Sequence, residues 1–175
     1  MKRILCLLLA LCLLLPVVAM AEETVKIGQV QFAAHGTSCF AVLTVAMQGD
    51  TIVAAYIDEY QFMSAEGDNP ATGVPNSDAS FGEKYPEGMV LASKKVNNDL
   101  YSENMKRAES TQPLATSYAA IEAYVTGKTI AELEEAVNGF TADNKADFID
   151  VVSGSTLADT LGYVNGLIAA AKAAQ

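Results

Sequence analysis

Residues Cys39-Phe40-Ala41-Val42-Leu43-Thr44-Val45-Ala46-Met47, then Gln48-Gly49-Asp50, then Thr51 to Tyr60, form the stretch that decides the fold class. The first nine are apolar or β-branched, the composition of a buried strand. Gln48-Gly49-Asp50 reads as a tight turn, because Gly tolerates positive φ and Asp can bond its own backbone. Thr51 to Tyr60 reads as a second strand, so the whole segment predicts a β-hairpin. Upstream, Thr24 to Phe32 alternates loosely, with Val25, Ile27, Val30 and Phe32 set between Lys26, Gly28, Gln29 and Gln31. That alternation predicts another strand, and Ala33 to Ser38, with His35-Gly36, is the loop between them.

Downstream the pattern changes. Ser64 to Gly88 holds Pro70, Pro75 and Pro86 among four glycines and has no periodicity. It reads as a long surface loop, 64–88, with a short turn near Phe81; loops of this length are functional or insertional. Helical spacing follows. Leu100, Tyr101, Met105 and Ala108 mark one face of a helix over Asn97 to Ala108. Pro113 opens a second helix carrying Leu114, Ala115, Tyr118, Ile121 and Val125 on one side, and Gly127 ends it. Thr129-Ile130-Ala131-Glu132 is a capping box for a third, closed near Asn138-Gly139. Phe148 to Val152 predicts a return to strand. Leu157, Leu161, Val164, Ile168 and Ala171 then draw a continuous apolar stripe on a last helix. Strands, then helices, then a strand and a helix give an α+β fold with a mostly antiparallel sheet and packed helices. There is no G-x-G-x-x-G after a strand and no G-x-x-x-x-G-K-[ST], so the sequence argues against a dinucleotide fold or a P-loop.

Lys2 and Arg3, the apolar run Ile4 to Leu15, Pro16 and Ala19-Met20-Ala21 read as a secretory signal peptide over 1–21. Residues 22–175 then form a single domain. The chain carries 21 acidic against 11 basic residues, a net charge of −10. Loss of Lys2 and Arg3 makes the mature domain more negative still. Such a surface argues against nucleic acid and anionic lipid as partners. Cys6 and Cys12 fall in the leader. Cys39 then has no partner for an internal disulfide and reads as a buried, inert thiol. His35 is the sole histidine, which leaves zinc, haem and Ser-His-Asp chemistry without a residue set. It reads as a loop or strand-end residue. Lys94-Lys95 reads as a solvated pair.

The chemistry-bearing stretch is Asp150-Val151-Val152-Ser153-Gly154-Ser155-Thr156. A β-branched run ending in Ser-Gly-Ser-Thr before a helix gathers amides, hydroxyls and the positive end of a helix dipole, a recipe for holding phosphate. The competing reading is a plain helix N-cap by Ser155 or Thr156. Asp150 three residues before Ser153, and Gly154, which allows close backbone approach, favour a ligand.

Asp150 to Gly166 resembles the C-terminal segment of the FMN-binding domain family, whose pattern is roughly D-x-x-S/T-G-A-T. Ser93-Lys94-Lys95-Val96-Asn97-Asn98 with Tyr101-Ser102 and Met105, then Gly127 to Glu132, is similar to a branch of exported bacterial proteins described as FMN-binding lipoproteins or membrane immunogens. The likeness covers most of Thr24 to Ala174 and is carried from Ser93 onward. Two departures stand out: Ser155 replaces the usual alanine, and no lipid-modified Cys is present. The resemblance implies that Thr156 carries FMN through a phosphoester made by a separate flavin transferase, and that Asp150, Ser153, Gly154 and Ser155 form the recognised turn. It implies phosphate near the amides of Gly154 to Thr156. The flavin ring would lie on aromatic side chains, for which Tyr60, Phe62, Tyr85 and Tyr101 are candidates, each equally readable as core. Lys94 and Lys95 would offset phosphate or reduced-flavin charge. The implied function is an electron carrier, not a catalyst with its own substrate. It would be secreted, periplasmic or on the outer face of the cytoplasmic membrane, passing electrons between membrane redox proteins and extracytoplasmic acceptors. The alternative is a non-redox surface or periplasmic binding protein that keeps the fold without flavin.

Overall fold

The structure, a computed structural model, describes residues 23–107 and 110–175. The expected leader, 1–21, and Ala108, at the end of the first expected helix, lie outside the described residues. Four strands, β1 (Val25–Phe32), β2 (Cys39–Gln48), β3 (Thr51–Ser64) and β4 (Met89–Ser93), form one antiparallel sheet in the order β1-β2-β3-β4. The hairpin forms as expected: Leu43 faces Ile57, Ala41 faces Glu59, and Gly49 takes φ +61° in the turn. β2 buries Ala41, Leu43, Val45 and Met47 on one face, the period of two that a strand imposes. The opposite face is open, with Ile27, Phe40, Val53, Tyr56 and Phe62 exposed on it or along its edge.

β4 is a strand to which the sequence gives no distinct signal. Its five residues pair with the end of β3, Tyr60 opposite Ser93 and Phe62 opposite Leu91. The 64–88 loop is held to this corner rather than free. Ala65 donates to the Gly88 carbonyl, Val74 to that of Leu91, and Tyr85 meets Phe62 and Phe81 edge-on.

Helices α1 (Asn98–Lys106), α2 (Leu114–Val125), α3 (Ile130–Val137) and α4 (Thr160–Ala173) match the four expected. The Thr129–Glu132 capping box is present, and Gly139 adopts φ +88° after α3. α4 lies across the buried sheet face, with Leu161, Val164, Leu167, Ile168 and Ala171 in the core. Two glycines make that approach possible. A Cβ at Gly28 would run into the Ala170 carbonyl, and one at Gly166 into Leu43 Cδ1. Among the described residues no helix is long and apolar enough to cross a membrane.

The expected strand at Phe148–Val152 is not formed. Lys145–Val151 is instead a 3-10 helix. Phe148 and Val152 are the buried residues of the segment, four apart, while Asp147, Asp150 and Val151 are exposed. In a strand Asp150, midway between them, would share their buried face, and its exposure therefore fits helical turns and not a strand. Phe148 packs edge-on against Phe140 and Tyr124.

Candidate functional site

Between the 3-10 helix and α4 the chain turns through Val152 to Asp159, and α4 begins at Thr160. The helix therefore starts four residues after Thr156, not at it, and the expected placement of a helix dipole on Ser153 to Thr156 is corrected. Gly154 has φ +92°, a left-handed conformation that glycine adopts without strain. Asp150, Ser153 and Gly154 are exposed. Ser155 is buried, its hydroxyl bonded to Thr160 Oγ1 at 2.8 Å. The amides that were to hold phosphate are partly engaged within the protein. Ser155 N–H donates to the Val152 carbonyl at 3.2 Å and Thr156 N–H to Ser117 Oγ at 3.3 Å.

Thr156 is half-buried, and its side chain forms part of the wall of a cavity of about 300 Å³. Two polar groups from the segment before α2 converge on it. The Ser110 and Thr156 hydroxyls share a hydrogen bond of 3.0 Å, and Gln112 N–H donates to Thr156 Oγ1 at 3.3 Å. The apolar lining is Met105, Leu114, Ile149 and Leu157, with Tyr101 and Tyr163 as its aromatic members. Of the four aromatic candidates only Tyr101 is brought here. Tyr60 stacks on Phe40, and Phe62 and Tyr85 pack on each other near β4. No residue of 64–88 lines the cavity.

His35 and Asp159 stand on the same cavity wall. His35 Nδ1 donates to Asp159 Oδ2 at 2.6 Å, and Lys145 Nζ bonds Asp159 Oδ1 at 2.5 Å. Burial by itself would raise the Asp159 pKa, but the hydrogen bonds from Lys145 and His35 outweigh it and hold the carboxyl below its ordinary value.

Lys94 is the largest departure from the sequence reading. It is 1% exposed rather than solvated, and it is part of the cavity wall. Its Nζ lies 2.5 Å from Glu59 Oε2, with Glu59 0% exposed. Glu59 Oε2 also accepts from Tyr163 OH at 2.8 Å and Tyr118 OH at 3.3 Å. Burial pulls the Lys94 pKa down, but the Glu59 carboxylate more than offsets this and leaves it raised. Burial, and then the neighbouring negative charge, push both tyrosine hydroxyls far above their ordinary value. Lys95 is half-buried, bonding Glu122 at 2.9 Å with its ammonium over the Tyr56 ring. Cys39 is half-buried rather than buried, and its Sγ donates to the His35 carbonyl at 2.7 Å.

The fold and site together define an α+β domain with a small, mostly apolar cavity, Thr156 on its wall and a buried Lys94–Glu59 pair beside it. No family model, curated protein or solved structure matches the chain. Sequence reasoning missed Ser110, Gln112, Asp159 and Tyr163. Each sits far along the chain from its partner, and no motif spacing links them.

Proposed function

We propose that this chain is an exported FMN-binding protein, flavinylated at Thr156, that acts as an extracytoplasmic electron carrier. The observation that carries the reading is the position of the Thr156 hydroxyl, half-buried on the wall of an apolar and aromatic cavity. The residues present fit the group. Ligand sites span roughly 300–1,000 Å³, so this cavity, at the lower end of that range, would take the ring system of the flavin and not the whole of FMN. The Gln112 amide, which now donates to Thr156 Oγ1, and the Ser110 hydroxyl, once turned from the Gln112 carbonyl, would be the groups beside a phosphate carried by Thr156. In that step a flavin transferase supplies FMN from an activated donor. Thr156 Oγ gains a bond to phosphorus and gives up its proton, and the donor's leaving group departs with the old P–O bond. Bound flavin supplies one- and two-electron transfer. The chain's own part is to tether the ring, exclude water with Met105, Leu114 and Leu157, and set the charge beside it with Lys94.

Two observations favour a second reading, a non-redox binding protein that uses the same cavity without flavin. The Ser155 and Thr156 amides are already bonded, and the Asp159 carboxylate stands at the cavity wall. Co-expression of wild type and Thr156→Ala with a flavin transferase separates the two. Fluorescence that survives denaturing electrophoresis in wild type and is absent in a folded Thr156→Ala supports the first. Its absence from both supports the second.

A further inference from the structure

Phe40, Tyr60, Phe62, Phe81 and Tyr85 belong to neither packed core. Phe40 stacks on Tyr60 across the β2–β3 pair, with ring centroids 5.6 Å apart. Phe62, two residues on from Tyr60, shares its face of β3. Its ring meets Tyr85 at 5.0 Å, and Tyr85 meets Phe81 at 5.5 Å. The five rings therefore run as one band from the open sheet face onto the 64–88 loop. Much of the band is bare: Phe40 is 39% exposed, Phe62 41% and Phe81 58%. A run of exposed rings on a soluble surface marks contact with another molecule, not a demand of the fold.

The loop that carries part of this band also sets its charge. Glu66, Asp68, Asp78, Glu83 and Glu87 are exposed there, against a single base, Lys84. None of the five acids is in an ion pair among the described residues. On the same face of β3 the chain already lays a cation on a ring, with Lys95 Nζ 3.8 Å from the centroid of Tyr56. A second copy of the chain would bring the same acids and a net charge of −10, and is repelled, as is an anionic membrane. We propose that the band is a docking surface for a basic polypeptide segment in which Lys or Arg is interspersed with aromatic or aliphatic side chains. The rings take its apolar anchors, and the free carboxylates of the loop meet its cations and speed encounter. The 64–88 loop thereby has a role that does not depend on the flavin.

The test uses protein without attached flavin and three peptides as probes: acetyl-KFKFK-amide, its acidic counterpart acetyl-EFEFE-amide, and the ring-free acetyl-KSKSK-amide. Binding is followed by heteronuclear NMR. The basic aromatic peptide is expected to bind about tenfold or more tighter than either control, shifting the amides of Phe40, Tyr60, Phe62 and residues 81–89. Phe62→Ser/Phe81→Ser should weaken that binding about tenfold. Glu83→Gln/Glu87→Gln removes no ring, so it keeps the test decisive if the first variant does not fold. It should weaken binding about threefold at low salt, and the difference should vanish at high salt. A tie between the basic aromatic peptide and either control, shifts confined to other residues, or no binding of any peptide overturns the inference. So does self-association of the chain, or binding to phosphatidylcholine vesicles, that moves the same residues, because the band is then a homodimer face or a lipid contact.

Discussion

At the scale of single residues, the Glu59–Lys94 pair shows how a charge can be kept inside a small core. Each ion loses several kcal/mol of hydration on burial, and the pair is tolerable because the carboxylate gathers the ammonium and two phenols at once. Removing one member leaves the other unpaired. Lys94→Met is expected to lower stability by about 3–5 kcal/mol, whereas Glu59→Gln/Lys94→Met should recover most of that, as urea unfolding would measure. Cys39 lies beside the same pair. Burial and then the Glu59 charge push its thiol up to about 11, from an ordinary 9.0. Alkylation of folded protein by iodoacetamide at pH 8 is therefore expected to be slower than that of a free thiol, accelerating only above about pH 10. Neither feature could be read from the chain. Lys94 and Lys95 are adjacent, yet one faces the core and the other Glu122 and Tyr56, and the partner that buries Lys94 lies on the neighbouring strand. Thr156 was legible because glycine and hydroxyl residues cluster around it. Its partners Ser110 and Gln112 were not, because a tertiary contact between two turns leaves no local pattern.

At the scale of elements, most of the architecture follows from periodicity and punctuation. The hairpin, the capping box and the stripe on α4 each state their own geometry. The two failures are short apolar runs. Phe148 to Val152 and Met89 to Ser93 hold five residues each, too few for period two and period three-to-four to be told apart. The first coils because an extended run would carry Asp150 into the core along with Phe148 and Val152. The second extends because the end of β3 offers it an unpaired edge. What the sequence does encode is the fit of α4 on the sheet, through small residues. Gly166 faces Leu43 and the Phe32 ring, with no room for a methyl. Gly166→Ala, although it raises helix propensity, is expected to destabilise the domain by about 1–3 kcal/mol because the fully buried Leu43 side chain must leave its place or the helix must lift from β2. Thermal unfolding against wild type measures this, and a stabilised variant would contradict the packing described.

At the scale of the molecule, 21 acidic against 11 basic residues make the chain self-repelling, and its few cations are spent at selected points. Lys145 is spent on Asp159, to which the His35 ring also bonds, where the last helix, the β1–β2 loop and the 3-10 helix come together. Because the folded Asp159 pKa is depressed, its contribution to stability is present above the ordinary carboxylate value of 3.8 and is lost as pH falls through the lower folded value. Asp159→Asn should therefore be less stable than wild type at neutral pH. It should also lose less between about pH 5 and about pH 2, as urea midpoints across that range would record.

The same junction borders the cavity that gives Thr156 its meaning, so the most direct test is chemical and made on the whole chain. The protein is co-produced with a flavin transferase, its intact mass is recorded, and the modified peptide is sequenced by mass spectrometry. One FMN per chain, carried by Thr156, is the outcome predicted. An unmodified mass, or FMN on any other residue, would contradict the assignment of this cavity to a flavin.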